Sequence, residues 1–492
     1  MKPPHVDYLG PDAITERGSL QARATAGSGR VIAVTFLLDG RPLGSDTTRP
    51  YTLDVDPAFL PKGRHELRVV AVDSLGRRRS TAPSAVEISG SRAHVLTATP
   101  HQGLRRALAA LRRGNVTVHL GPGRYRLGEI RLGSGARLVG SGPETVISAR
   151  PGERYWALLV AKGRNIRISD LTLDGGGGFR RDDEGGIAVA VFDGSRDVRL
   201  QRLRITRVRT DGVNVWGAYS NVSIQDSRIE GDGTGEAGVV ALGSDESRDT
   251  SVIRTRVRGF TSFGILLQQQ EDGRPAADLH GVVLDNVVSD IRDPSRDGCW
   301  TAAKHRTQGC GTNEGGIWTG GVEAAVVGNA VRRARWDGIE TVGSSTRTTI
   351  VGNRIYDTRT GIYLEHSTHR SLIARNLIVD ALTGINVEWW HEGEGSRRNT
   401  FAYNRVVRAQ TGIFVDVGGD RNRIVGNVFV GGWRPAIVLQ GSSRNVVQGN
   451  RACGRRQGPL VAFETARWDD GRPAASRRNR LVDNEDLPAE KC

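Results

Sequence analysis

The chain has 492 residues, among them 64 glycines and one methionine, and a formal net charge of +15. A chain of this length buries a large core, either as several ordinary domains or as one long repetitive structure. The many glycines indicate a backbone that turns at regular intervals, and the lack of long runs of helix formers favours β structure. No apolar stretch reaches the ~18 residues of a membrane span, so no membrane-spanning segment is predicted.

The positive charge is carried almost entirely by arginine, because only five of the 69 basic residues are lysines. These arginines are dispersed among 54 acidic residues, without a long basic run. No nucleic-acid-reading module accompanies the charge, so no nucleic-acid partner is predicted.

Four cysteines allow two local pairings, Cys299 with Cys310 and Cys453 with Cys492. Neither pair has the spacing of metal ligands, so two disulfides are predicted, as in an exported protein. The first residues lack the apolar core of a signal peptide, which is expected of a cytoplasmic protein or of a trimmed mature form. The predicted disulfides favour a secreted or cell-surface location.

Residues 15–90 follow a short N-terminal segment, 1–14, and alternate apolar and polar residues in VIAVTFLLDGRPLG, YTLDVD and HELRVVAVDSLGR. Alternation with period two, broken by DG, PKG and SLG, predicts a small antiparallel sandwich. The pattern resembles the bacterial immunoglobulin-like modules attached to secreted enzymes. That resemblance implies a spacer or binding module without chemistry of its own.

A different pattern begins at HQGLRRALAALRRG, where Leu104, Leu108 and Leu111 have helical spacing. The strand and turn signals VTVHLGPGRYRLGEIRLGSGARLVGSGPETVISA come next. This order resembles the entrance of a right-handed parallel β-helix of the pectate-lyase-like repeat proteins. The resemblance implies an all-β solenoid with an N-terminal capping helix over residues 91–484, followed by a tail, 485–492.

Internal repetition supports the same fold. Asparagine recurs at intervals of 24, 23, 28, 23 and 23 along the sequence, at Asn329, Asn353, Asn376, Asn404, Asn427 and Asn450. A period of about 23 residues predicts one coil of three short strands, which buries its apolar face only when coils stack. We interpret the asparagines as a structural ladder in a tight turn.

Deviations from the period predict where loops have been inserted. The count from glycine to the following asparagine is 15 in most coils, but 20 from Gly384 to Asn404 and 22 from Gly264 to Asn286. The return from asparagine to the next glycine is usually short, but from Asn286 to Gly316 it is much longer than in the other coils. All three extensions flank the same strand of the coil, so we expect them to wall a cleft parallel to the stack axis.

Acidic residues recur on the outer face of that strand. In the repeat G-I-x-V-x the second and fourth residues point inward and the third and fifth outward. The fifth position holds Glu365, Glu388 and Asp416 in consecutive coils, and Glu340 is a third position one coil earlier. Like charges stacked at ~4.8 Å repel, so one carboxyl must hold a proton or a cation must lie between them.

We therefore predict these four carboxylates as catalytic groups. A calcium ion at Glu365, Glu388 and Asp416 is the alternative, and no other cofactor is predicted. A third interpretation is ordinary surface charge, relieved by arginines such as Arg370 and Arg397.

Aromatic and titratable residues surround this row. Flat apolar rings bind sugars, so the predicted substrate-binding residues are Trp389, Trp390, Tyr363, Trp336, Trp318 and Arg370. His366 and His391 change charge near neutral pH and join the predicted catalytic set, with a plain surface role as the alternative. The segment TDGVNVWG places Asp211, Asn214 and Trp216 on the same face several coils earlier, where they extend the cleft or only decorate it.

Proteins with this resemblance include pectate lyases, polygalacturonases, alginate epimerases and phage tailspikes. The paired aspartates of polygalacturonases and the DPHE-like motif of mannuronan epimerases are absent from this sequence. The leading hypothesis is a secreted enzyme that cleaves a polysaccharide by glycoside hydrolysis at the carboxylate row. Carboxylates on adjacent coils fit a retaining pair, and Glu365 with Asp416, two coils apart, fits an inverting pair.

Two other classes of function remain open. One is a calcium-dependent lyase or epimerase acting on a uronate polymer, and the other is a non-catalytic glycan-binding or structural surface protein. The sequence predicts neither the polysaccharide nor the oligomeric state.

Overall fold

Two all-β units follow one another in the computed structural model of the chain. It describes residues 2–91, 93–150, 155–176, 185–244, 246–269, 280–292, 315–320, 323–343, 345–365, 367–389, 395–432, 435–454, 458–468 and 472–488.

The first unit is a sandwich of two mainly antiparallel sheets, which we call the module. One sheet contains His5–Tyr8, Gly18–Thr25 and Tyr51–Val55. The other contains Ala13–Ile14, Val31–Leu38, Arg41–Asp46, Gly63–Asp73, Arg78–Ser80 and Ser84–Ile88. Alternate residues of these strands, such as Leu20, Phe36 and Val69, form the module's own core. The expected N-terminal segment 1–14 therefore supplies a strand to each sheet.

The second unit is a parallel β solenoid whose coils each visit three sheets. The sheet that carries the candidate site, the cleft sheet, contains Ile130–Leu132, Ala157–Ala161, Ile187–Val191, Asp211–Gly217, Ala237–Gly243, Phe263–Gln269, Gly315–Gly320, Asp337–Val342, the second halves of Arg354–Leu364 and Leu377–Val387, Thr411–Val415, Ile437–Gln440 and Val461–Glu464.

The sheet that follows it in each coil, the docking sheet, contains Val95–Ala98, Thr117–Leu120, Arg137–Val139, the first halves of Arg164–Asp174 and Ser195–Val208, Tyr219–Gln225, Arg248–Ile253, His280–Leu284, Glu323–Val327, Thr349–Val351, Leu372–Ala374, Thr400–Ala402, Arg423–Val425, Val446–Gln448 and Arg480–Val482.

The third sheet contains Gly123–Arg126, Thr145–Ser148, the second halves of Arg164–Asp174 and Ser195–Val208, Arg228–Gly231, Arg256–Arg258, Val287–Ile291, Ala330–Ala334, the first halves of Arg354–Leu364 and Leu377–Val387, Arg405–Val407, Val428–Val430, Arg451–Cys453 and Glu485–Leu487. Its last strand pairs with Arg451–Cys453, so the solenoid extends into the expected tail. A small hairpin, Ala466–Arg467 with Pro473–Ala474, projects from the last coils.

Inward side chains of the three sheets form one continuous core. In the cleft sheet Ile339, Ile362, Ile385 and Ile413 stack in register and are fully buried. The glycine before each isoleucine is required by close packing. A Cβ atom at Gly338 would lie 2.4 Å from Cγ2 of Ile355 on the neighbouring sheet.

The asparagines form the predicted ladder between the docking sheet and the third sheet. Each Nδ2 donates to the Oδ1 of the next asparagine at 2.9–3.0 Å, as from Asn353 to Asn376. Each Oδ1 also accepts the preceding coil's backbone N–H. A second ladder that the period did not reveal links Asn399, Asn422, Asn445 and Asn479 through backbone N–H groups.

A helix caps the first coils, as predicted. It spans Leu104–Arg113, and Leu111 is fully buried against the solenoid core, while Leu104 and Leu108 pack at its edge. The helix removes the apolar end of the stack from solvent.

The module lies along the docking sheet instead of standing apart as a spacer. Ile32 and Val72 of the module pack against Leu284 and Val327 of the solenoid. Gln225 of the solenoid exchanges two hydrogen bonds of 2.7 Å with the backbone of Ser45. The two units therefore share a buried interface.

Three of the predicted disulfide cysteines, Cys299, Cys310 and Cys492, lie outside the described residues, so both pairings stay predictions. Cys453 is buried in the third sheet. No helix in the described part of the chain is long and apolar enough to cross a membrane.

Candidate active site

The three predicted row carboxylates occupy equivalent positions on adjacent coils. The backbone N–H of Glu388 donates to Leu364 at 3.0 Å, and that of Asp416 donates to Val387 at 2.8 Å. Glu365 makes the same contact with Thr341 at 2.9 Å. The strand spacing of ~4.8 Å therefore separates their backbones from coil to coil. All three side chains are half-buried on the outer face of the cleft sheet.

Glu340 lies deeper than the row. It is 4% exposed, because Trp318 and Tyr363 are its register partners on the two adjacent coils and both are buried. Burial, and then the negative charge of Asp337, raises the pKa of Glu340 well above its usual value.

Asp337 is a site residue that the sequence did not single out. It is 1% exposed, and burial raises its pKa to about 7, an effect that the Thr360 hydroxyl and Arg359 partly offset. Both Asp337 oxygens are buried, and the neighbouring side chains that act on this carboxyl include Thr360 and Glu340. Two buried carboxyl groups this close titrate together, and burial favours the protonated form of both.

The signal for Asp337 was present in the repeat. Three coils read TGI where this coil reads DGI, so aspartate replaces threonine next to the structural glycine. The same register position holds Asp211 four coils earlier, and its pKa is also raised to about 7 by burial. Asn214 donates to Asp211 at 2.6 Å, and the neighbouring Trp216 is exposed.

Asp416 and Glu388 differ in their surroundings. Burial raises the pKa of Asp416 to about 6, and the charge of Glu388 adds to the rise. Backbone N–H groups of Val417 and Trp389 partly offset it. Glu388 instead accepts a hydrogen bond of 3.0 Å from the Nδ2 of Asn386, which fixes the orientation of its carboxylate. Asp416 thus holds its proton to a higher pH than an ordinary aspartate does.

An aromatic pair lies beside Asp416. The rings of Trp389 and Trp468 meet edge to face, with centroids 5.1 Å apart. Trp468 comes from the loop after the last cleft-sheet strand, which the sequence did not connect to the row. The segments that contain Gly395 and Gly418 lie in close contact. A Cβ at Gly395 would lie 2.3 Å from Gly418, so this contact requires glycine.

The other predicted substrate-binding residues are placed differently. Trp318 is buried edge to face against Phe263, and the Arg359 guanidinium covers Trp336 at 3.8 Å. Arg370 is exposed at the far end of its turn, in a cluster with Arg347 and Arg421. These residues therefore flank the row but do not all present a free face to a ligand.

Several predictions fall on residues that the structure does not describe. His366, His391 and Trp390 lie outside the described residues, as do most of the three inserted loops expected to wall the cleft. Their roles stay predictions.

The calcium ion predicted at Glu365, Glu388 and Asp416 stays a prediction. Among the described residues, no three histidine, cysteine or acidic side chains converge as metal ligands do. No step at this site is therefore assigned to calcium.

Comparison with known proteins identifies both units. Residues 12–69 match the family model of the bacterial Ig domain, and residues 264–436 match that of the periplasmic copper-binding protein NosD. The family 28 exopolygalacturonase of Yersinia enterocolitica is 11% identical with a TM-score of 0.52, over 97% of this chain and 99% of that one. The chain is a right-handed parallel β-helix protein with an N-terminal bacterial immunoglobulin-like module. The predicted fold class is thus confirmed.

This β-helix protein is also similar to other solved structures. The catalytic domain of an α-1,3-glucanase is 12% identical with a TM-score of 0.42, over 98% of this chain and 91% of that one. The A-module of the Azotobacter vinelandii mannuronan C-5 epimerase AlgE4 is 16% identical with a TM-score of 0.38, over 80% and 94%. No curated protein matches the chain by sequence.

Proposed function

We propose that this protein is a polysaccharide-cleaving enzyme that hydrolyses glycosidic bonds with retention of configuration. Asp416 is the proton donor and Glu388 is the nucleophile. The observation that carries the proposal is the raised pKa of Asp416, about 6, one coil away from Glu388. A carboxylic acid beside a carboxylate is the pair that glycoside hydrolysis requires.

The spacing favours retention. Retaining enzymes hold the two carboxyl groups ~5–5.5 Å apart, a separation that the ~4.8 Å backbone spacing of adjacent coils allows. Asp416 gives its proton to the glycosidic oxygen as that bond breaks, and Glu388 attacks the anomeric carbon to form a glycosyl ester. Asp416 then takes a proton from water, whose oxygen displaces Glu388 and releases the sugar.

The remaining carboxyl groups support this pair. Glu365 lies on the opposite side of Glu388 from Asp416 and adds negative potential where positive charge develops on the sugar ring. Protonation of the buried Asp337–Glu340 pair limits the negative charge beneath the row. Trp389 and Trp468 provide an aromatic surface for a sugar next to the proton donor.

An exported location fits the chain's relatives. One matched family is described as periplasmic, and the module matches bacterial immunoglobulin domains. We do not extend copper binding, which the NosD description names, to this chain, since no metal-ligand group is found in its described residues.

The test is incubation with a panel of neutral and acidic polysaccharides. A hydrolase releases reducing ends, and proton NMR of the first product gives its anomeric configuration. Unsaturated sugar ends that absorb in the ultraviolet would instead establish a lyase. Retardation in glycan affinity gels without any product would establish a binding protein.

A further inference from the structure

A cavity of about 930 Å³ lies between the module and the first coils of the docking sheet. Its solenoid wall contains Arg137, Arg167 and Arg199, which are register partners on three consecutive coils. Asp54 of the module faces them. The coil spacing therefore stacks the backbones of the three arginines at ~4.8 Å intervals.

The three stacked arginines outnumber the carboxylates that form ion pairs with them. Arg137 and Arg167 share one oxygen of Asp54, at 3.3 and 3.2 Å, and the other oxygen of that carboxylate accepts a hydrogen bond from Ser19. Arg199 makes no ion pair with any described residue. The Nε atoms of all three arginines are buried without a hydrogen-bond acceptor in the described part of the chain.

The other acidic groups that line the cavity have partners of their own, His65 for Asp39, His94 for Asp56 and Arg202 for Asp170. Asp170 forms a two-bond pair with Arg202 at 2.5 and 2.7 Å. Asp46 accepts hydrogen bonds from Thr48 and Thr52, and burial raises its pKa, which the charge of Arg199 partly offsets. Asp54 is therefore the only carboxylate among the described residues in ion-pair contact with the three stacked arginines.

Uncompensated guanidinium groups are costly to bury. Burial, with repulsion from neighbouring arginines, lowers the pKa of Arg137 and of Arg199 to about 10. Arg137 is 7% exposed. An arrangement that holds like charges together, away from water and around a cavity, is expected where an anion binds.

We propose that this cavity binds an oxyanion group, held by Arg137, Arg167 and Arg199. The planar fork of each guanidinium matches the geometry of a sulfate, phosphate or carboxylate group. The group comes either from a free inorganic anion or from the uronate of an acidic polysaccharide. Because the module forms the opposite wall, the bound anion ties the module to the solenoid.

Isothermal titration calorimetry of the full chain tests the site, with sodium sulfate, sodium phosphate and sodium glucuronate as separate probes. We expect saturable binding of one probe per chain. Arg199→Gln should weaken it by about 10-fold or more, since a charge-assisted hydrogen bond is lost. Arg202→Gln, which lines the same cavity but is paired with Asp170, is the matched control and should bind as the unmodified chain does.

Thermal unfolding in sodium sulfate, relative to sodium chloride at equal ionic strength, provides a second measurement. Sulfate should stabilise the unmodified chain more than Arg199→Gln, because exclusion of sulfate from the surface stabilises both chains and site binding adds only to the first. If Arg199→Gln does not fold, Arg199→Lys keeps the charge but loses the fork and should bind more weakly. Saturation by sulfate or phosphate identifies an inorganic ligand, and saturation by glucuronate alone identifies a sugar acid.

The proposal is overturned if no probe saturates, or if Arg199→Gln binds as tightly as the unmodified chain. It is independent of the proposed function. Asp416→Asn should leave anion binding unchanged, and Arg199→Gln should leave the pH dependence of any hydrolysis unchanged.

Discussion

Glu340 and Asp337 form a buried acid pair on one strand of the cleft sheet, and burial raises the pKa of both carboxyl groups. Trp318 and Tyr363 exclude water from this pair by packing on both sides of Glu340. The buried pair therefore holds protons to a higher pH than exposed carboxyl groups do, and the half-buried row lies above it.

Asp337→Asn should stabilise the protein at alkaline pH. The folded-state pKa of Asp337, about 7, exceeds its ordinary value of 3.8, so between these values the folded state binds more protons than the unfolded state. The free energy of unfolding therefore falls as pH rises through this window, by up to ~4 kcal/mol. In the variant the free energy of unfolding should differ less between pH 5 and pH 8. Chemical denaturation at both pH values measures this difference.

Asp380→Asn is the matched control for that measurement. Asp380 is exposed, and its ion pair with Arg408 lowers its pKa, so removing it should have a small effect of the opposite sign. A lower stability of Asp337→Asn than of the unmodified chain at pH 8 would contradict the assignment of the buried pair.

Glu388→Gln should lower the rate of polysaccharide cleavage by ~10²–10⁴-fold or more, because the amide cannot form the glycosyl ester. Reducing-end release on the identified substrate measures the loss. Glu464→Gln is the control, since Glu464 lies two coils beyond Asp416 on the same sheet and is exposed. Equal activity of Glu388→Gln and Glu464→Gln would show that the row is not the active site.

Cleavage should decline as pH rises above about 6, because Asp416 must hold its proton to act as the donor. Asp416→Asn should lose most of the activity, and the activity that remains should no longer decline above about pH 6. The profile of kcat/KM against pH tests this. If the residual activity of Asp416→Asn still declines above about pH 6, another group is the proton donor.

Asn376→Ala should destabilise the solenoid more than Asn484→Ala does. Asn376 bonds to asparagines on both neighbouring coils, so its removal leaves buried polar groups without partners, at ~1–3 kcal/mol each. Asn484 ends the ladder and is only partly buried. Thermal unfolding measures the difference, and equal losses would contradict a cooperative ladder.

Local pattern in the sequence determined the β-helix, its capping helix, the asparagine ladder and the acidic row. Each of these repeats with the coil or lies within a short stretch of chain, so period and alternation are sufficient to place them. The row residues Glu365, Glu388 and Asp416 were predicted because one register position recurs once in every coil.

Only the tertiary structure decided the rest. Asp337 became a site residue because packing by other coils buries it, and Trp468 joined Trp389 because two distant turns meet. The module's position and the arginine stack opposite Asp54 depend on contacts between residues about 80 to 290 positions apart. No local pattern encodes such contacts, because they arise only when complementary surfaces of two folded units meet.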